Sequence, residues 1–165
     1  MAPRFPLIPV PGPPQPADKW DWIGDKFGTY AIQMSFVHNC IIRSINNMHT
    51  YAPFVQPNTP QAASFVAYIL LVIQFIREHR EGEEEVIIPF LQTKFDVQET
   101  VEAQSAFAKS IDAFEGHLKK VQNNEEGYDE KRVLDLVETF GDVLVDHLNH
   151  MVRSIPHHAY LHSDC

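Results

Sequence analysis

Histidine and glutamate side chains interrupt the apolar face of several helical stretches in this chain. His79 and Glu83 are four residues apart, so on a helix of 3.6 residues per turn their imidazole and carboxylate lie one turn apart on the same face. His38 and His147 interrupt the apolar stripes of two other stretches. Such a set can bind a divalent metal, or it can hydrogen-bond a carbonyl or carboxylate and transfer a proton.

Four stretches with helical periodicity would position these side chains. Apolar residues recur every three or four positions over residues 21–50, 60–91, 97–121 and 129–155, which is typical of amphipathic helices. Thr59 before Pro60 predicts where the second helix begins, because threonine is a good N-cap and proline suits the first helical position. Long helices with short connections predict an all-α, up-down-up-down antiparallel four-helix bundle.

The inner face of each helix follows from this spacing. On the second helix we expect it to contain Phe65, Tyr68, Leu71 or Val72, Phe75, His79, Glu83 and Val86. On the third, Gln104, Ala108 and Ile111 fall in register, and on the fourth Phe140, Leu144, His147 and Met151 do so. The polar side chains are therefore predicted to meet inside the bundle.

The chain divides into three predicted segments. Residues 1–20 form an arm with seven prolines before position 17, which excludes a helix there. Residues 21–155 form the bundle, and residues 156–165 form a histidine-containing tail that we expect to be flexible. The arm either is disordered or packs along the bundle and covers a pocket mouth, through Phe5, Leu7, Ile8 and Val10.

The overall charge and the apolar runs limit the partners. A formal net charge of −9 and a pI near 5.4 disfavour nucleic acid, whose binding requires clustered lysine and arginine. The most apolar run, residues 65–76, is shorter than a membrane span of about 20 residues. We find no secretory signal, and Cys40 and Cys165 do not indicate a disulfide scaffold. We therefore expect a cytoplasmic protein without a membrane partner, and the sequence leaves its oligomeric state open.

Roughly residues 20–152 resemble the hemerythrin-like, cation-binding HHE family in the form common in fungi. The resemblance rests on the segments SFVHNCIIRSINNMHTYAP, HREGEEEVIIP, AFAKSIDAFEGHL and VDHLNHM. It implies a hemerythrin-like bundle with a di-iron centre, held by histidines of all four helices, a bridging glutamate of the second helix and a carboxylate of the fourth. The matching positions in this chain are His38, His79, Glu83 and His147.

The ligand set that the resemblance implies is incomplete in this chain. Gln104 and Ala108 occupy the two histidine positions of the third helix, and Met151 and Val152 occupy the carboxylate positions of the fourth. His117 cannot replace the missing ligands, because thirteen residues past Gln104 it points to another side of an ideal helix. We therefore expect the iron that depends on the third helix to be absent.

The leading hypothesis from these losses is a repurposed core pocket with no resident metal or cofactor. A bundle that no longer holds two metal ions has room for a hydrophobic small molecule. Whether the protein is an enzyme stays open; if it is, we expect a cofactor-independent cyclase or isomerase of Diels–Alder type in fungal secondary metabolism. The predicted catalytic residues are His38, His79, Glu83, Gln104 and His147. The predicted pocket walls are Tyr30, Met34, Phe75, Phe107, Ala108, Ile111, Phe140, Leu144 and Met151.

Three alternatives stay open beside this hypothesis. In the first, His38, His79 and Glu83 form the two-histidine, one-carboxylate set of non-haem iron(II) sites, with His147 as a fourth ligand. This mononuclear or residual di-iron protein would serve oxygen chemistry or sensing. In the second, the bundle is a non-catalytic carrier of a small ligand. In the third, the histidines and the glutamate only satisfy one another in the core.

Overall fold

The computed structural model of the chain describes residues 3–11, 26–93 and 98–161, with side chains for all of these except 98–108 and 154–161. Helices dominate this part of the chain, and it contains no strand. The helices are α1 (Lys26–Tyr51), α2 (Pro60–Gly82), α3 (Ile88–Gln92), α4 (Gln98–Gln122) and α5 (Glu130–Leu161). A π-helical turn, Glu83–Ile87, joins α2 to α3 directly. The prediction of four long helical elements is confirmed.

The four long elements enclose one apolar core. Helix α1 packs on α5, α5 on α4, α4 on α2, and α2 on α1. Phe114 of α4 and Phe140 of α5 are fully buried, and their ring centroids are 5.6 Å apart. Each such side chain contributes roughly 1.5–3 kcal/mol of hydrophobic free energy. Isoleucines from α1 and α2 complete the core, namely Ile41, Ile42, Ile45, Ile69, Ile73 and Ile76.

The predicted helix ends are confirmed at the start of α2 and wrong at the end of α5. The Thr59 hydroxyl accepts a hydrogen bond from the Ala62 N–H at 3.2 Å, and Pro60 occupies the first turn. Helix α5 continues through Pro156 to Leu161, so the predicted tail from residue 156 is helical over most of its length. Residues 21–25 and 162–165, which were also part of these predictions, lie outside the described residues.

The predicted inner face of α2 is partly wrong. Phe75 and Val86 are 41% and 62% exposed, whereas Ile73 and Ile76, outside the predicted face, are 1% exposed. Of the two alternatives Leu71 and Val72, Val72 is buried and Leu71 is 65% exposed. Apolar residues occupy more than one face of this helix, so spacing alone does not determine which face is buried. Tertiary contacts with α4 and α1 select the face instead.

The π turn explains why Val86 is exposed. The Ile88 N–H donates to the Glu83 carbonyl, a hydrogen bond that spans five residues instead of four, so the buried position after Glu83 is Ile88. Pro89 gives the physical reason, because it has no N–H for the carbonyl of Glu85 and its ring crowds that carbonyl in a regular α-helix. Widening the turn relieves this conflict.

The continuous element Pro60–Gln92 is long and apolar enough to cross a membrane, by length and composition alone. The apolar run of residues 65–76, which is too short to span a membrane by itself, is part of this longer element. Core helices of soluble proteins have the same composition, and here 33% of the apolar window is buried against the rest of the chain. Nothing else in the described residues points to a membrane.

The described part of the arm, residues 3–11, packs along the bundle. Phe5 and Ile8 are 1% and 3% exposed and belong to the hydrophobic core. Leu7 and Val10 are 40% and 43% exposed, so of the four apolar residues of the predicted arm only two are buried. Packing along the bundle, one of the two predicted alternatives, is confirmed for these residues.

Candidate metal centre

Three histidines from three helices surround one buried carboxylate. Glu83 is the first residue of the π turn and is 3% exposed. Its Oε1 is 3.4 Å from His38 Nε2 of α1 and 3.2 Å from His79 Nε2 of α2. Its Oε2 is 3.4 Å from His147 Nε2 of α5. The structure therefore brings together four of the five residues predicted to act in the site.

The tautomer of His38 is determined by a backbone contact. Its Nδ1 is 2.9 Å from the carbonyl oxygen of Leu148, and because a carbonyl only accepts hydrogen bonds, Nδ1 carries the proton. Burial lowers the pKa of His38 below its ordinary value, and this effect outweighs the opposing attraction to Glu83. The ring is therefore neutral near pH 7, and its Nε2 presents a lone pair to the carboxylate.

Two imidazole nitrogens converge on one carboxylate oxygen. Neither His38 Nε2 nor His79 Nε2 has a hydrogen-bond partner among the described residues, although both are buried. Their rings stand edge to face, with centroids 5.1 Å apart and planes at 83°. The lone pair of His38 Nε2 faces the carboxylate and repels it unless a proton or a cation lies between the two atoms.

The spacing of these atoms fits a shared metal ion. Ligand atoms of His38, His79 and Glu83 all lie within 4.8 Å of one another. Bonds of about 2.0–2.1 Å in a tetrahedral site place neighbouring ligand atoms about 3.3 Å apart, and the two nitrogen–oxygen distances to Glu83 Oε1 are 3.4 and 3.2 Å. Two imidazoles and one carboxylate also form a donor set that first-row transition metals accept.

His147 lies on the other side of the carboxylate. It faces Glu83 Oε2, whereas His38 and His79 face Oε1, and it is not part of the three-atom group that could share one ion. The carboxylate thus separates the imidazoles two to one, as the incomplete ligand set predicts. A direct role for His147 as a fourth ligand of the same ion stays a prediction.

The surroundings of Glu83 keep it ionised. Burial raises the pKa of its carboxyl, but the surrounding imidazoles of His147, His38 and His79 together lower this pKa further than burial raises it. The net pKa therefore lies far below the ordinary carboxyl value. A buried carboxylate that stays charged is a suitable ligand for a divalent cation.

Tyr30 adds a polar group that the sequence did not reveal. It was predicted as a pocket wall, eight residues before His38 on α1, but its hydroxyl is buried and has no hydrogen-bond partner among the described residues. Burial first, and the negative charge of Glu83 second, raise its pKa well above the ordinary value. The phenol stays protonated and is available as a hydrogen-bond donor.

The remaining predicted pocket residues divide into three groups. Phe75 is wrong as a wall, since its side chain is 41% exposed on the outside of α2. Met34 is partly buried and packed against the core, whose buried members include the predicted walls Ile111, Phe140, Leu144 and Met151. The side chains of Gln104, Phe107 and Ala108 on α4 lie outside the described residues.

His117 does not belong to the metal-binding group, in agreement with its predicted phase. Its Nδ1 is 3.0 Å from an oxygen of Glu126, in the connection between α4 and α5. Glu126 also pairs with Lys120 at 3.0 Å. This histidine therefore contributes to the end of α4 instead of the site.

A cavity of about 250 Å³ lies at the connection between α1 and α2. Its lining is mainly aromatic and apolar and consists of Asn47, Tyr51, Phe54, Val55, Gln61, Phe65 and Tyr68. None of the predicted pocket residues lines it. The central pocket next to the histidines therefore stays a prediction.

Comparison of the chain with protein-family models, curated proteins and solved structures finds no match. The geometry of the histidines and Glu83 is therefore what indicates a function.

Proposed function

We propose that this chain is a hemerythrin-like, up-down four-helix bundle that binds one divalent transition-metal ion through His38, His79 and Glu83. The observation that supports this most directly is the convergence of two buried imidazole nitrogens on one carboxylate oxygen, at 3.4 and 3.2 Å, where neither nitrogen has a hydrogen-bond partner among the described residues. A cation bound between them would satisfy all three groups through coordinate bonds. The proton on His38 Nδ1, held by the Leu148 carbonyl, orients the ring for that role.

The chemistry of such a site follows from its open positions. Two histidines and one carboxylate leave coordination positions free, and non-haem iron(II) proteins use these for oxygen and substrate. The proposed function is therefore a mononuclear iron protein for oxygen chemistry or sensing. Tyr30 and His147 then supply a proton donor and a further imidazole at the edge of the site.

Metal analysis of the full chain without a histidine tag tests the proposal. After anaerobic reconstitution with iron(II) and desalting, we expect about one ion per chain, and less than a tenth of that in His79→Ala, because a three-ligand site does not survive the loss of one ligand. His150→Ala, which changes an exposed histidine of α5, is the matched control and keeps its metal. Equal iron contents in wild type and His79→Ala exclude the site.

The Tyr30 hydroxyl favours a second candidate function, a metal-free site for a hydrophobic small molecule. A buried donor without a protein acceptor among the described residues matches a ligand carbonyl, which it would polarise. The cofactor-independent cyclase or isomerase, or the plain carrier, would then use Tyr30 together with His38, His79 and His147. In this case hydrophobic carbonyl compounds raise the melting temperature of the chelated protein, and Tyr30→Phe abolishes the shift. A shift that requires iron contradicts this second candidate.

A further inference from the structure

Asn46 binds the backbone of the N-terminal arm from both sides. The Phe5 N–H donates to Asn46 Oδ1 at 2.9 Å, and Asn46 Nδ2 donates to the Phe5 carbonyl at 2.8 Å. Both residues are buried. One side chain of α1 thus satisfies the donor and the acceptor of a single arm residue, which is how one strand residue pairs with another.

Asn39 repeats this contact at the next register position. The Ile8 N–H donates to Asn39 Oδ1 at 2.8 Å, and Asn39 Nδ2 donates to the Ile8 carbonyl at 2.9 Å. The two asparagines are seven residues apart, which is two helical turns and about 10.5 Å of rise. Three residues of a polyproline II helix rise about 9.3 Å. The spacing on α1 therefore matches an extended, proline-rich segment with a period of three.

The burial and the proline positions of the arm follow the same period. Phe5 and Ile8 are buried, whereas Pro6, Leu7 and Pro9 are exposed. Proline occupies positions 6 and 9, directly after each anchored residue, and never positions 5 or 8, whose N–H groups donate to the asparagines. This pattern is what a proline-rich ligand of such a groove requires, because proline has no N–H to give.

The ring of Phe5 occupies a narrow slot next to Gly141 of α5. A methyl group added at Gly141 of α5 would lie 2.5 Å from Phe5 Cζ, so the slot exists because residue 141 has no side chain. His49 meets the ring edge-on, with centroids 6.4 Å apart. The Arg4 guanidinium lies over the ring at 4.9 Å and pairs with Asp142 at 2.8 Å.

We propose that the groove between α1 and α5 is a recognition site for proline-rich peptides of the pattern Arg-Phe-Pro-x-Ile-Pro, and that the arm occupies it as an intramolecular ligand. The two asparagines hydrogen-bond backbone groups of the peptide. The absence of a side chain at Gly141 leaves room for one aromatic ring, and Asp142 pairs with the arginine before that ring. A polyproline II segment is already extended before it binds, so it loses little conformational entropy. The proposed partner is a segment of this pattern in another protein chain, and the arm competes with it for the groove.

Peptide binding to a full-length chain with a weakened arm tests the proposal. The probe is a fluorescein-labelled peptide with the sequence of residues 1–11, and the receptor carries Phe5→Ala and Ile8→Ala. We expect saturable binding by anisotropy, at least tenfold tighter than to the wild-type chain, where the tethered arm competes at an effective concentration in the millimolar range. Adding Asn46→Ala to the receptor weakens binding at least tenfold.

Peptides that differ at one residue show which side chains the groove recognises. A peptide with Ile8→Ala loses at least tenfold in affinity, whereas one with Leu7→Ala, which changes an exposed residue, binds within twofold of the parent. A receptor that keeps its helical circular dichroism and does not bind the parent peptide overturns the proposal. Binding that is unchanged by Asn46→Ala does so as well.

A second receptor covers the case in which the arm-weakened chain does not fold. Gly141→Ala keeps the arm sequence and improves the helix propensity of α5, but it fills the slot. A peptide with Phe5→Leu then binds this receptor at least tenfold tighter than the parent peptide does. On a receptor that keeps Gly141, the parent peptide binds more tightly than the Phe5→Leu peptide. Equal affinities for the two peptides contradict recognition at this groove.

Discussion

Two buried polar sets on neighbouring residues of α1 differ in how their hydrogen bonds are satisfied. Asn39 and Asn46 each make two bonds of 2.8–2.9 Å with the arm. His38 directly precedes Asn39, yet its Nε2 and that of His79 face a carboxylate without a hydrogen-bond partner among the described residues. One residue along the helix therefore separates a complete polar contact from an incomplete one.

The difference indicates which set is satisfied within the chain and which lacks a partner among the described residues. A buried hydrogen bond contributes only about 1 kcal/mol net, but a buried polar atom left without a partner costs about 1–3 kcal/mol. The asparagines remove that cost for the arm. His38 Nε2 and His79 Nε2 retain it, and such costs in a folded protein are expected at functional sites. Changing one member of each set at a time separates the two.

The largest effect is expected at Glu83. In wild type, saturating iron(II) or cobalt(II) raises the free energy of unfolding by about 3–4 kcal/mol when the ion is present at a hundred- to a thousandfold above its dissociation constant. Glu83→Gln removes this gain, because the amide is a poor ligand. In the metal-free chain the same change stabilises by about 1 kcal/mol, since the amide N–H donates to an imidazole lone pair. Urea unfolding with and without the ion measures both.

The neighbouring glutamate gives the control for that experiment. Glu84 is exposed and pairs only loosely with Arg80, at 3.8 Å, so Glu84→Gln leaves the metal-dependent gain intact. If Glu83→Gln destabilises the metal-free chain by more than about 1 kcal/mol, the carboxylate is a satisfied structural group, and the contrast with the asparagines disappears.

The next effect is expected at Asn46. Asn46→Ala leaves the Phe5 N–H and carbonyl without partners, so we expect a loss of about 2–3 kcal/mol in the free energy of unfolding. The loss is not larger, because release of the arm exposes these two groups to water. Asn47→Ala changes an exposed asparagine on the same turn and costs less than about 0.5 kcal/mol. Equal losses in the two variants would show that the arm contacts contribute nothing to stability.

The helices and the histidine cluster were predictable because they follow from local chemistry. The threonine and proline at residues 59 and 60 determine where α2 begins. The phases of His38, of His79 with Glu83, and of His147 on three helical elements brought all four together. Apolar and polar alternation at a period of 3.6 needs no knowledge of the partner helix. This is why the pattern indicated a common interior site.

The parts that were wrong or missed depend on contacts between distant segments. The buried face of α2 could not be chosen from spacing, because Leu71 and Phe75 are as apolar as Ile73 and Ile76. The role of Asn39 and Asn46 depends on an arm more than 30 residues away in sequence, and no local pattern joins the two. Pro89 is the local signal for the π turn, and the spacing pattern alone does not use it.

Two tyrosines provide a smaller test of the same contrast. The Tyr128 hydroxyl donates to the Ala52 carbonyl at 3.0 Å and is buried, whereas the Tyr30 hydroxyl has no hydrogen-bond partner among the described residues. We expect Tyr128→Phe to cost about 1 kcal/mol and Tyr30→Phe to be neutral or stabilising in the metal-free chain. Thermal unfolding of the chelated protein measures both. A loss at Tyr30 equal to that at Tyr128 would place Tyr30 in the structural set.

The smallest effect is the alkaline titration of Tyr128. Burial first, and the nearby charges of Glu130 and Asp129 second, raise its pKa to about 12, whereas an unfolded tyrosine titrates near 10. The folded chain thus holds the phenolic proton more tightly, so the stabilisation is complete below pH 10 and is lost as the pH rises from 10 to about 12. At pH 10.5 the loss is below about 1 kcal/mol. Free energies of unfolding of wild type and Tyr128→Phe between pH 8.5 and 10.5 should converge as the pH rises, because the phenylalanine variant lacks this titration. Parallel curves for the two chains would mean that the Tyr128 hydroxyl titrates equally in the folded and unfolded states, and would remove it from the satisfied set.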